Sequence, residues 1–88
     1  MSQSLHEFLA FLHTKGFKLG EDAKGFILFG QHYTGADDSL AIAALEVTLK
    51  AQKQFDGSFF ISFLEVLVKE GAYTKKAAIE KAKALQIL

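Results

Sequence analysis

Apolar residues recur along this chain at helical rather than strand spacing. Leu5, Phe8, Leu9 and Leu12 fall at i, i+3, i+4 and i+7, with Phe11 widening the stripe. Ser4 and Glu7 stand in the relation of a capping box, in which a Ser side chain and a Glu three residues on satisfy each other's backbone N–H groups. Gly16 ends this first helix, and Phe17 is placed to fold back on its last turn as in a Schellman motif.

From Glu21 to Thr34 a second stripe holds Ala23, Phe26, Ile27, Gly30 and Tyr33, with Phe29 beside it and Leu28 on the polar side. Residues 25–30 are also a short apolar run between glycines, which leaves helix and strand both open. Helix is favoured because a lone strand would have no partner. Asp37, Asp38 and Ser39 can each cap the segment that follows. From Leu40 to about Gln54 two stripes adjoin, Ile42, Leu45, Leu49 and Leu40, Ala44, Val47, Ala51, with Glu46, Lys50 and Lys53 as the wet strip.

The most apolar run is Phe59 to Val68, broken only by Ser62 and Glu65. At about 100° per residue, Ser58, Ser62, Glu65 and Lys69 share one narrow strip, so this helix must be contacted from several sides. Its apolar run is far shorter than the ~20 residues that span a membrane. Gly71 suits its end. Thr74 can cap a last helix running toward Leu88, with Ala78, Ile79, Ala82 and Leu85 inward and Lys76, Glu80, Lys81 and Lys83 in water. The expectation is an all-α single domain over 1–88: a compact bundle of four to five short helices around a central apolar helix at about 58–70.

Composition narrows the function classes. The chain has 88 residues, nine of them Phe, and half are hydrophobic. A chain this short buries only about 60–65% of its unfolded surface and is marginal alone, while its apolar content suggests a packed core with some apolar surface left for a partner. Charge sums to zero, from ten Lys and ten acidic residues. Without Arg, the preferred residue for bidentate phosphate and base contacts is missing. Lys69 onward is mildly basic. There is no Cys, hence no thiol chemistry, and the reading is cytoplasmic.

Candidate chemistry is thin. His6 and His13 lie two helical turns, about 10 Å, apart, too far for one metal ion. The stretch from His32 to Asp38 combines a base, a phenol, a hydroxyl and two carboxylates in a turn, but in no catalytic order, and both Asp read better as caps. The glycines fit no phosphate-binding pattern. No enzyme, cofactor or metal is expected.

Between Ala43 and Ala78 the order of signals resembles the C-terminal helical domain of bacterial replication-initiation proteins of the DnaD type. That family has an alanine-rich helix, a short link, and a helix with Tyr, Ile and Trp at four-residue intervals. A Gly follows four later, then a Thr opening another helix. Here Phe59 stands at the Tyr, Phe63 at the Ile and Leu67 at the Trp, while Gly71 and Thr74 match as they stand. The resemblance covers under half the chain. It implies a similar helical fold and, through the aromatic pair and a basic tail, single-stranded DNA contact at Phe59, Lys75, Lys76 and Lys83; Phe63, at the Ile position, joins them as a ring that could stack on a base. Leu67 in place of Trp and the missing Arg depart from the pattern. The chain as a whole is also similar to short uncharacterised proteins of spore-forming Gram-positive bacteria, which carry no function over.

The leading expectation is a non-enzymatic interaction module that self-associates as a symmetric dimer, with Leu28 and Tyr33 as interface candidates. The alternative is a single-stranded nucleic-acid-binding module.

Overall fold

The computed structural model describes residues 4–17 and 19–88, which form five α-helices. Among the described residues there is no strand, and no helix that is long and apolar enough to cross a membrane.

Helix α1 spans Leu5–Thr14. Ser4 Oγ accepts the Glu7 N–H at 3.1 Å, and Glu7 Oε1 accepts the Ser4 N–H at 2.9 Å. The helix buries Leu5, Phe8, Leu9 and Leu12. It ends in a Schellman motif: Gly16 takes a φ of 91°, and the Phe17 N–H reaches back to the Leu12 carbonyl at 3.0 Å.

Helix α2, Glu21–Thr34, runs straight through residues 25–30. Helix prevails over strand because its hydrogen bonds are internal to the segment. Ile27 and Gly30 are its buried residues. A Cβ at Gly30 would lie 3.1 Å from the Phe60 ring, so the glycine allows this turn to approach the fourth helix closely.

Helix α3, Asp38–Gln52, starts at Asp37, whose carboxylate accepts the Leu40 N–H at 2.8 Å. It is the most deeply buried element: Leu40 to Leu45 and Val47 to Leu49 are all inside, and it packs against each of the other helices. Thr48 is fully buried, its hydroxyl donating to the Ala44 carbonyl at 2.8 Å.

Helix α4, Gly57–Glu70, is the expected apolar helix, capped by Asp56. Ser58, Ser62, Glu65 and Lys69 form its exposed strip, while Phe60, Phe63, Leu64 and Leu67 are buried. It packs on α2 and α3. Helix α4 thus gives the core the rings of Phe60 and Phe63, while the largest share of buried aliphatic side chains comes from α3, where all five helices meet.

Helix α5, Lys75–Ala84, is capped by Thr74 and lays Ala78 and Ala82 into the core beside α3. It stops short of the expected run toward Leu88. Gln86 adopts a φ of 61°, and the Ile87 N–H returns to the Ala82 carbonyl at 2.8 Å. This turn brings Ile87 onto the core, which compensates a non-glycine left-handed residue, and leaves Leu85 exposed. Lys81, expected in water, is largely covered and pairs with Glu70 at 3.5 Å.

Candidate functional site

The two carboxylates and the Thr34 hydroxyl of the 32–38 stretch are absorbed into the architecture. Asp37 caps α3. Asp38 accepts the Leu5 N–H at 3.0 Å with one carboxylate oxygen and the Gln31 side-chain amide with the other. One carboxylate therefore joins the start of α1, the end of α2 and the start of α3. The Leu5 N–H first, then the Gln31 amide, hold Asp38 below the usual carboxylate range against the opposing effect of burial, with the nearby His6 contributing least. Thr34 donates to the Gly30 carbonyl at 2.8 Å, and Gly35 closes α2 with a φ of 74°. His32 faces solvent, as do His6 and His13. Among the described residues no group of three His, Cys, Asp or Glu side chains could hold a metal ion.

The surface is different on the outer side of α2. Phe29 is 56% exposed and Tyr33 65%, and their rings stack at 5.7 Å with 15° between planes. Phe29 also meets Phe26 at 6.2 Å, Phe26 meets Phe55 at 6.5 Å, and Phe55 meets the fully buried Phe60 at 5.9 Å. A continuous run of rings thus connects the core to open surface. Rings this exposed gain little from folding, since area already in water contributes no burial energy.

Of the interface candidates, Leu28 is partly open and Tyr33 is the more exposed. Five residues along a helix place them about 140° apart, with Phe29 between them. Leu28 borders a shallow dent with Gln31, His32 and Gly35. Tyr33 borders another, of about 370 Å³, with Thr34 and with Glu65, Val68 and Lys69 of α4. They flank one helix face rather than sharing one pocket. Periodicity alone sets Phe29, the centre of that face, beside the inward stripe. The missed signal is Gly30: if the closest approach to α4 lies there and at Ile27, Phe29 stands about 200° round from Ile27.

The residues of the nucleic-acid reading are dispersed. Phe63 is only 3% exposed and Phe59 is half-buried, their rings stacked on each other at 6.1 Å. Lys75 pairs with Glu46 at 3.2 Å. Lys76 is exposed near the start of α5 and Lys83 near its end.

The chain belongs to the family of unknown function DUF6123, which it matches over residues 1–88. No curated protein and no solved structure matches it.

Proposed function

We propose that this chain is a cytoplasmic, non-enzymatic helical interaction module that forms a two-fold dimer through the outer face of α2. The observation that carries the reading is the stacked, exposed pair Phe29 and Tyr33, continuous with the core aromatics.

A second copy fits this face for two reasons. Gly25 lies one turn before Phe29 on the same outer side, with open space where a side chain would be. An antiparallel two-fold pairing of α2 sets each Phe29 level with the other copy's Gly25, so bulk meets gap in both directions. Zero net charge adds no long-range repulsion between copies.

Single-stranded nucleic-acid binding is the competing reading. Base stacking needs an open ring face, and the burial of Phe63 counts against it.

Sedimentation velocity over a concentration series, at low and high salt, tests both. The expected result is a dimer at high micromolar concentration, nearly indifferent to salt, and a Phe29→Lys variant that stays monomeric. A wild-type monomer throughout removes the dimer. Tight oligonucleotide binding that falls steeply with salt supports the competing reading instead.

A further inference from the structure

A separate hollow lies between α1 and α3, sharing no residue with the outer face of α2. Phe8, Leu12 and Leu49 form its floor, and Phe11 and Phe17 its walls. Both wall rings are well exposed, Phe11 at 46% and Phe17 at 39%. Their positions are set by structure rather than by chance orientation: Phe11 stacks on Phe8 at 6.2 Å, and the Schellman turn at Gly16 fixes the backbone of Phe17.

The rim is positively biased. Glu46 borders the hollow, but its carboxylate is engaged by Lys75 at 3.2 Å. Lys50 borders it too, and Lys15 holds its ammonium 5.5 Å from the centre of the Phe11 ring. Among the described residues neither Lys15 nor Lys50 forms an ion pair. The hollow measures about 240 Å³. That lies below the ~300 Å³ at which small-molecule pockets usually begin. It leaves room for one large apolar side chain.

We propose that this hollow docks an acidic amphipathic helix of a partner protein. One bulky apolar side chain enters between Phe11 and Phe17, and carboxylates on the flanking turns meet Lys15 and Lys50. An apolar anchor in a small pocket with opposite charges at the rim is the usual anatomy of helix-in-groove recognition. The site stands whether or not the chain dimerises through α2.

The test is an amide NMR titration of the full-length protein with a short capped helical peptide carrying Leu and Phe on one face and Glu on the other. A counterpart with Lys in place of Glu serves as comparison. Saturable shifts at Phe11, Phe17 and Lys50 with the acidic peptide, and weaker binding of the basic one, are expected. Phe11→Ala should weaken binding about tenfold or more, the scale of losing one buried apolar anchor. Lys50→Glu, on the exposed rim, should weaken it about threefold to fivefold with the fold intact. If Phe11→Ala disturbs the spectrum globally, Lys50→Glu decides. Any of four results overturns the proposal: no saturable shift; equal affinity for both peptides; shifts confined to Phe29 and its neighbours; or movement of Phe11 and Phe17 on concentrating the protein alone, which would make a second copy the occupant. Shifts there with decanoate but not with peptide would likewise overturn it, in favour of a lipid-like carboxylate.

Discussion

Gly30 and Lys53 show opposite relations between a residue and its backbone. Gly30 sits inside a helix, where glycine is disfavoured, because a Cβ would press within 3.1 Å of Phe60. Phe60 is fully buried and held against Phe55, so it has nowhere to retreat. Overpacking of this kind costs about 1–3 kcal/mol, and alanine regains only about 0.5–1 kcal/mol of helix propensity. Gly30→Ala should therefore lower stability by about 1 kcal/mol, read from the shift in urea midpoint. Lys53 has the converse problem. It ends α3 with a φ of 64°, a conformation natural to glycine. The left-handed cost of about 1–2 kcal/mol exceeds the extra chain entropy glycine loses, so Lys53→Gly should raise stability by about 0.5 kcal/mol in the same assay. Neither residue announces its conformation in the sequence. Gly30 reads as one of several helix-weakening glycines, and Lys53 as part of a wet strip.

At the scale of elements, α1 is attached to the rest of the fold by a carboxylate as well as by its apolar stripe. Asp38 holds the Leu5 N–H, and Glu7, also below its ordinary carboxylate range through its hydrogen bonds with Ser4, closes the capping box. A carboxylate whose folded pKa is depressed contributes stability that is present above its unfolded pKa and is lost as pH falls through the folded value. Acid should therefore loosen α1 before the core helices. Amide protection factors, each taken against the intrinsic exchange rate at that pH, should fall at Phe8 to Leu12 on lowering the pH below the ordinary carboxylate range, more than at Leu40 to Leu49. In Asp38→Ala, exchange in α1 should already be faster at neutral pH, with less further acid sensitivity. Equal protection of α1 in variant and wild type would show the bond to be incidental. The sequence signals α1 well, because cap, stripe and terminating glycine all agree. It signals the role of α3 poorly, because buried alanines such as Ala41 and Ala44 add little hydrophobic contrast yet permit close packing. It does not show the end of α5, since Gln86 is an ordinary residue made left-handed by the burial of Ile87. Nor could the reach of Asp38 across to α1 be read from local spacing, which shows only that it can cap its own helix.

For the whole molecule, the question is whether association and folding are separable. Phe29 is more than half exposed in the single chain, so replacing it removes little buried area and should scarcely alter monomer stability. A dimer, in contrast, is bound only by folded chains and stabilises them by mass action, in proportion to the logarithm of concentration once it is populated. The melting temperature of the wild type should rise with protein concentration, and that of Phe29→Lys should not. The two should converge on dilution, because at low concentration both are folded monomers with nearly the same core. Salt should leave the separation almost unchanged, since apolar burial rather than counterion release drives it. If Phe29→Lys instead melts lower by the same amount at every concentration, Phe29 acts within the monomer. The ring pair with Tyr33 would then be an extension of the core through Phe26 and Phe55, and the outer face of α2 would lose its claim as an interface.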